Sequence, residues 1–274
     1  MEPFYYNHMN KNQQAAYRAM QQGLTNLSDE FQIPRLEGKD LSNVFFELRL
    51  DHPEIFWASG FKYKYYPDSP NLILIPEYLF DKGKIREHQK AMDARVEKLA
   101  RPAMKLTELE KERYIHDFIC EHVHYDKLKK PYSHEIIGPL GQGVGVCEGI
   151  AKSVKILCDT LGIWCMIALC GNNPEKGIKY RHTWNISRSG KRTTIWTLPS
   201  TTVSANAARQ GRRSATITSI STTRRSSATT NRSSPRRLPA RTAIISTTKK
   251  RSFPLPNRRM FTSAPYRRPK KEKH

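Results

Sequence analysis

The sequence predicts a mixed fold of helices and strands over residues 1–187, from three observations. Apolar residues recur at helical spacing in several segments. Two short apolar runs flank Pro67-Asp68-Ser69-Pro70, which is typical of a hairpin. Residues 180–186 alternate in character, which indicates a strand with His182 and Trp184 on one face. Both kinds of element are therefore expected in one region of the chain.

The N-terminal segment is predicted to contain helices and one hairpin. Residues 11–23 and 27–49 carry helical periodicity, and a turn at Pro53 ends the second of these helices. Hairpin strands are expected at residues 61–66 and 71–75. Residues 82–101 are typical of a polar helix. We assign residues 1–104 to this N-terminal helix-and-hairpin region.

Residues 105–187 carry two further helices and two strands. Thr107 can cap the first helix, with Glu110 three residues on as in a capping box. The second helix starts at about Cys147 and can end at Gly162. Between the helices lies a glycine-rich loop, residues 127–146. Residues 163–170 are a short apolar run that predicts a buried strand before the alternating one.

Positive charge is concentrated at the end of the chain. The formal net charge is +22, yet 22 of the 47 Lys and Arg residues follow Ser187, where Glu272 is the only acid. Residues 188–274 are rich in Thr, Ser, Arg and Pro, which predicts a disordered basic tail. Such a tail would bind nucleic acid or acidic lipid non-specifically, although aromatic residues for base stacking are sparse in it.

The sequence also gives expectations about the cell compartment. No apolar run approaches the roughly 18 residues of a membrane span. The N-terminus has neither the basic nor the apolar region of a signal peptide. The five cysteines form no CxxC pair. These features predict a cytoplasmic protein with reduced thiols, and they leave the oligomeric state open.

Cys147 is the candidate nucleophile. At the first turn of a helix, a thiol faces unpaired backbone N–H groups and the positive end of the helix dipole. Both favour the thiolate, which is the reactive form of cysteine. A cysteine nucleophile also needs a base, usually histidine, and His182 on the later strand is the candidate. Taken alone, a cysteine at a helix start is more often an inert buried residue.

Other polar residues have simpler interpretations. His116, His122 and His124 do not share one helix face, so we predict no metal site for them and no cofactor for the chain. The remaining cysteines read as core residues, and they are Cys120, Cys158, Cys165 and Cys170. Trp184 is either a core residue or part of an acyl-binding site. Ser133 and His134 have no role that the sequence assigns.

Several blocks resemble the transglutaminase core family in order and spacing, including bacterial members. These blocks are residues 112–117, 123–126, Ser133-His134, 145–152, Leu161-Gly162-Ile163 and His182-Thr183-Trp184-Asn185. The resemblance implies an α+β papain-like core in which a helix carrying Cys147 packs on an antiparallel sheet. It also implies that Cys147 attacks a carboxamide or peptide carbonyl to form a thioester, with His182 as base.

The family's third residue, an aspartate that orients the histidine, is missing from the sequence. By spacing it should lie near position 196 or 197, which hold Trp196 and Thr197. Reading one base earlier across these two codons must give GAC, an aspartate codon, because Trp is TGG and Thr codons begin with AC. We therefore hypothesise a frameshift between about Ile186 and Lys191.

Three functions remain open on these grounds. The first is a transglutaminase-like cysteine acyltransferase or protease that acts on a protein or peptide substrate and is impaired by loss of the aspartate strand. The second is a catalytically inactive transglutaminase-like binding module. The third is a nucleic-acid-binding protein, which requires that the basic tail, residues 188–274, is genuine. The domain boundaries expected are 1–104, 105–187 and 188–274.

Overall fold

A computed structural model describes residues 2–170, 182–190, 192–197 and 216–221. Its first half contains three helices, α1 (Lys11–Thr25), α2 (Gly38–Asp51) and α3 (Lys82–Ala100). The strands there are β1 (Phe31–Pro34), β2 (Ala58–Tyr65) and β3 (Asn71–Tyr78). They form an antiparallel sheet in the order β1-β3-β2. The predicted hairpin is present as β2 and β3.

The helix expected over residues 27–49 is wrong in its first part. Residues Phe31–Pro34 instead form β1, where Ile33 is buried opposite Leu72 of β3. The physical reason is Pro34, which lacks an N–H and clashes with the preceding turn, so a helix cannot run through it. The helical periodicity begins only beyond Pro34, and α2 starts at Gly38.

The second half opens with two helices at their predicted positions. Helix α4 (Glu108–His122) begins with the predicted capping box, because Thr107 accepts from the Glu110 backbone N–H and Glu110 accepts from that of Thr107. Helix α5 (Cys147–Thr160) is followed by Gly162 at a φ of 77°, the left-handed conformation that favours glycine. Cys147 is therefore the first residue of α5.

The predicted loop between α4 and α5 contains more regular structure than its glycines indicate. Two short strands, β4 (His124–Tyr125) and β5 (Val144–Gly145), pair in parallel. A 3₁₀ turn at Pro131–His134 and one π-helical turn at Ile137–Gln142 lie between them. The segment before α5 is therefore held by backbone hydrogen bonds.

A second antiparallel sheet follows, in the order β6-β7-β8-β9. Its strands are β6 (Trp164–Cys170), β7 (His182–Ser189), β8 (Arg192–Thr197) and β9 (Thr216–Ser221). The sequence shows no periodicity after Ser187, so β8 and β9 were not expected. The signal of β8 is hidden because the strand buries Thr194 as well as Trp196, and a buried hydroxyl does not register as an apolar position.

Helix α5 packs against one face of this sheet. The Asn185 side-chain amide on β7 donates to the Ala151 carbonyl of α5 at 2.9 Å. Trp196 on β8 is 1% exposed, and its indole N–H donates to the Ser187 hydroxyl at 2.8 Å. A helix that carries Cys147 and covers an antiparallel sheet confirms the predicted α+β class.

One apolar core joins the two halves of the chain. It includes residues of α1 and α2, such as Met20 and Leu48, together with Val154 of α5 and Trp196 of β8. Within the described residues, no helix is both long enough and apolar enough to cross a membrane.

Candidate thiol active site

Cys147 lies at the N-terminus of α5 with its thiol half-buried. The preceding residue, Val146, is extended, and no side chain caps this helix start through a hydrogen bond. The first-turn N–H groups therefore remain near the thiol, where the helix dipole favours negative charge. The structure thus places Cys147 at the start of a helix, and its role as nucleophile stays a prediction.

The backbone before Cys147 is fixed by hydrogen bonds from two directions. The Val146 N–H donates to the Ser133 carbonyl at 3.0 Å, and the Asp126 N–H donates to the Gly145 carbonyl at 3.0 Å. Gly149 lies against the same Ser133 carbonyl, where an added Cβ would meet the oxygen at 2.2 Å. The approach of α5 to the Ser133 backbone therefore requires glycine at position 149.

Asp126 holds the loop around Ser133 together. Its carboxylate accepts from the Leu128 and Lys130 N–H groups at 2.9 and 3.0 Å, and from the Ser133 hydroxyl at 2.5 Å. The Ser133 hydrogen bond is the main reason that the pKa of Asp126 is lowered. This contact gives Ser133 the role that the sequence could not assign, which is to fix the backbone that receives Val146.

A buried ion network surrounds the residue next to Cys147. The Lys152 ammonium lies 2.8 Å from Glu148 Oε1 and 2.8 Å from Glu135 Oε2, and Arg49 of α2 also pairs with Glu135. His134 completes the set, with Nδ1 3.2 Å from Glu148 Oε2. Two cations thus balance two carboxylates beside the start of α5.

The network keeps Glu148 ionised. Burial alone would raise the pKa of its carboxyl group, but Lys152, His134 and Arg49 together outweigh burial and lower that pKa well below its usual range. Glu148 therefore carries its negative charge at neutral pH, one residue from the candidate nucleophile.

Tyr125 lies on the strand that pairs with the backbone leading into Cys147. Burial raises the pKa of the Tyr125 phenol, and negative charge on Cys147 raises it further. Tyr125 is on β4 opposite Gly145 of β5, two residues before Cys147.

His182 is the first residue of β7, and its side chain is exposed. Its ring stacks with that of Trp184, with 6.1 Å between the ring centroids. The buried residues Thr183, Asn185 and Ser187 alternate with it and face α5, so His182 and Trp184 belong to the other face of the sheet. In the part of the chain that the structure describes, no hydrogen bond joins the Cys147 thiol to the His182 imidazole.

The chain was compared with known proteins by sequence and by structure. Residues 94–196 match the sequence model of the transglutaminase-like superfamily. Residues 94–196 are a transglutaminase-like domain. No curated protein matches the chain significantly. A solved structure described as "Crystal structure of a TGase" is similar at 12% identity with a TM-score of 0.33, over 58% of this chain and 50% of that one. The chain thus spans half the length of that protein.

The transglutaminase-like domain has no carboxylate at the position expected on β8. Trp196 occupies the inner face of the sheet opposite Asn185, and Thr197 follows it as the last residue of the strand. The nearest preceding acid in the sequence, Glu175, lies outside the described residues. Strand β8 therefore supplies no acidic residue that could orient the histidine.

Glu112 of α4 takes hydrogen bonds from the same strands. Its fully buried carboxylate accepts from the Ser187 hydroxyl at 2.6 Å, the Arg192 guanidinium at 3.0 Å and the Thr194 hydroxyl at 3.1 Å. These contacts fix β7 and β8 to α4. The sequence shows only that Glu112 lies among the apolar positions of α4. Its partners are about 80 residues away, and local periodicity does not reveal contacts over that distance.

The other residues considered in the sequence lie outside this site or are buried in the protein core. His116 is buried beside Cys120, with 3.7 Å from Nε2 to Sγ, and His122 Nδ1 lies 3.0 Å from the Phe118 carbonyl oxygen. Among the residues described, no three His, Cys, Asp or Glu side chains form a group that could hold a metal ion. Cys158 and Cys165 are buried, and the side chain of Cys170 lies outside the description.

Proposed function

We propose that the transglutaminase-like domain is a cysteine-dependent acyltransferase or peptidase that acts on carboxamide or peptide bonds and is impaired in this chain. The observation that supports it is Cys147 at the uncapped first residue of α5, inside the segment that matches the family. In the proposal, Cys147 is the nucleophile, His182 is the base, and Trp184 borders the acyl group.

The reaction would proceed through a thioester. The Cys147 sulfur bonds to the substrate carbonyl carbon while the thiol proton passes to the His182 imidazole. The tetrahedral intermediate places negative charge on oxygen, which the Cys147 backbone N–H can stabilise. The carbon–nitrogen bond then breaks, and the imidazolium returns the proton to the leaving amine. Water or a second amine attacks the thioester and releases Cys147.

Impairment follows from the missing carboxylate. In a nucleophile–histidine–aspartate triad, removal of the carboxylate costs roughly 10⁴-fold in turnover, because the histidine loses its orientation and tautomer. The exposed His182 without an acidic neighbour on β8 supports this part of the proposal. The frameshift hypothesis belongs here too, since the alternative frame supplies an aspartate at the Trp196-Thr197 codons. The gene sequence of this chain and of close relatives tests that hypothesis.

The experiment is an acylation assay on the full chain. With p-nitrophenyl acetate, a thiol nucleophile gives a burst of p-nitrophenolate whose size equals the amount of protein. We expect the burst to disappear in Cys147→Ser and to slow in His182→Ala. Cys120→Ser is the matched control, because Cys120 is also half-buried. A burst that survives Cys147→Ser would contradict the proposal.

A second candidate function is a catalytically inactive transglutaminase-like binding module. The observation that favours it is that, among the residues described, no hydrogen bond joins Cys147 to His182 and the two strands beside His182 offer no carboxylate. An inactive module predicts an alkylation rate of Cys147 that does not depend on His182. An enzyme predicts that His182→Ala slows alkylation at neutral pH.

A further inference from the structure

A groove runs between helix α2 and the outer edge of the N-terminal sheet. Its volume is about 680 Å³, which lies within the roughly 300–1,000 Å³ that ligand sites occupy. Ser42, Phe45 and Arg49 form one wall, and their spacing places them on one face of α2. Residues 59–63 of β2 form the other wall, with Glu77 of β3 beside them.

The groove follows the edge of β2. Side chains of a strand alternate between its two faces, so a run of successive residues such as 59–63 borders one cavity where that cavity lies along the edge. In the sheet order β1-β3-β2, strand β2 pairs with β3 on one side. Among the residues that the structure describes, no backbone group pairs with β2 on the other side. The outward N–H and C=O groups can therefore pair with a strand of another chain.

The dimensions of the groove suit an extended peptide. From Ser42 to Arg49 the helix rises about 10 Å, which matches about three residues of extended chain. The Phe45 and Phe61 rings join the two walls, with 4.8 Å between their centroids. Phe61 thus points towards α2, and a peptide paired with β2 would point alternate side chains the same way, towards Phe45 and Arg49.

Arg49 makes one end of the groove positive. Its guanidinium lies 5.5 Å from the centroid of the Phe45 ring and pairs through Nη2 with Glu135. Its Nε is buried and has no hydrogen-bond partner within the described part of the chain. A guanidinium has five N–H donors, so Arg49 retains donors for a second carboxylate. Lys62 and Glu77, the other charged residues of the groove, pair with each other at 3.2 Å.

Charge selects among the possible occupants. Strand β2 contains Lys62 and Lys64 and no acid, so a second copy of β2 would bring like charges together. The chain's own segment 188–274 carries 22 basic residues and one acid, so it does not complement Arg49 either. An acidic segment of another protein fits both the charge and the shape of the groove.

We propose that this groove binds an extended segment of another protein, which adds a strand to β2 and places an acidic side chain against Arg49. Backbone hydrogen bonds to the strand edge supply affinity in this mode of recognition, and the pocket for alternate side chains supplies specificity. The inference goes beyond the proposed function, because it requires no reaction at Cys147.

The purely architectural alternative is that the edge is only protected. Lysines on an edge strand discourage association with other strands, and Lys62 and Lys64 would then have that role alone. This alternative predicts that a peptide of suitable charge gains nothing from the groove. Peptide binding by the full chain therefore separates the two interpretations.

The test measures dissociation constants by fluorescence anisotropy with short, acetylated and amidated peptides of alternating Thr and Val. The central residue of these fluorescein-labelled peptides is Glu, Gln or Lys. We expect the Glu peptide to bind the full chain about tenfold more tightly than the Gln peptide, because a hydrogen bond to a charged group is stronger. Arg49→Gln should abolish that difference. Arg101→Gln is the matched control, because Arg101 is exposed and pairs only with Glu97 within its own helix.

A second pair of variants does not depend on the folding of Arg49→Gln. Ser42→Trp fills the groove from an exposed position, and we expect it to weaken binding of the Glu peptide at least about tenfold. Asn43→Trp is the matched control, because Asn43 is the next residue of α2, is also exposed and does not line the groove. Circular dichroism verifies that both variants fold.

Strand addition is tested on the peptide itself. N-methylation of alternate residues of the Glu peptide keeps its charge but removes backbone donors, and one of the two alternating sets should abolish binding. Undiminished binding of both methylated peptides would overturn strand addition and leave only attraction to the basic chain.

Three further results would overturn the inference. One is equal affinity for the Glu and Gln peptides, and another is equal weakening by Ser42→Trp and Asn43→Trp. The third is a different occupant. A Gln peptide with a free C-terminal carboxylate that binds more tightly than the amidated Glu peptide would assign the groove to chain ends. A dimer that Ser42→Trp dissociates in sedimentation would assign it to a second copy.

Discussion

The Lys152 ammonium lies 2.8 Å from Oε1 of Glu148, the residue that follows the candidate nucleophile, and Lys152 is completely buried. Its remaining contacts are both oxygens of Glu135, at 2.9 and 2.8 Å. A buried ammonium is tolerated only where carboxylates surround it in this way. The first turn of α5 is therefore tied to the preceding loop by charge as well as by backbone hydrogen bonds.

Replacement of Lys152 by Ala should destabilise the protein strongly. Removal of one partner from a buried ion pair leaves an uncompensated charge and costs about 3–5 kcal/mol. Lys64→Ala is the control, because Lys64 pairs with Glu30 at 3.4 Å and both side chains are 56% exposed. That pair should contribute at most about 1 kcal/mol. Urea unfolding measures both, and equal losses would contradict the prediction.

Stability should fall in acid because of Glu148. Its pKa is lowered in the folded state, so the unfolded state binds more protons as the pH falls below the ordinary Glu value of about 4.3. The stabilisation is complete above that pH and is lost progressively below it. Glu148→Gln should flatten this acid limb of the urea midpoint, whereas Glu30→Gln at an exposed site should not. Parallel curves for wild type and Glu148→Gln would show that Glu148 does not contribute.

Replacement of Trp196 tests whether β8 packs against the core in solution. The side chain is 1% exposed within the core, so Trp196→Ala should cost about 3–5 kcal/mol in unfolding free energy. Trp164 is only partly buried, although Phe4 and Arg188 contact its ring, and Trp164→Ala should cost clearly less. If Trp196→Ala leaves the urea midpoint unchanged, the strand does not pack in solution as described.

Gly149 reverses the usual preference of helices for alanine. In an open helix, Gly→Ala stabilises by about 1 kcal/mol. Here the new Cβ would meet the Ser133 carbonyl oxygen at 2.2 Å, so Gly149→Ala should destabilise and shift Cys147 away from the loop. Gly38→Ala at the start of α2 is the control, because its Cβ would meet only the Tyr63 hydroxyl at 3.9 Å. Thermal melts should move in opposite directions for the two variants.

An aspartate at position 197 should raise the acylation rate. Trp196 faces α5 opposite Asn185, so strand alternation assigns position 197 to the sheet face of His182 and Trp184. Thr197→Asp would restore a carboxylate there, and recovery could approach the roughly 10⁴-fold that a triad carboxylate contributes. Thr193→Asp is the control, on the same face but opposite Arg188. Equal burst rates for the two variants would remove the explanation of impairment by a missing acid.

Local signals predicted the boundaries of α4 and α5, including the start of α5 at Cys147. The capping box at Thr107 and the glycine at position 162 are decided by neighbours within five residues, so the sequence displays them. Non-local contacts were missed. Glu112 finds its partners on β7 and β8. Residue types alone do not reveal such pairings.

The placement of His182 shows the same limit. Its residue type and spacing predicted a base beside Cys147, and alternation along β7 assigns it to the sheet face away from α5. Which face a strand turns towards a helix depends on the whole sheet register, and a shift of one residue exchanges the two faces. Its role as base therefore stays a prediction that the alkylation experiment decides.

The Ser133 loop has a consequence for how this site can change over time. Asp126, Ser133 and Gly149 position the start of α5 through contacts within residues 126–149, whereas the candidate base His182 lies on a separate sheet. Substitutions at the exposed His182 would leave these loop contacts intact. A descendant could thus lose turnover and still keep a half-buried cysteine at a helix start, available for capture of electrophiles or for renewed selection.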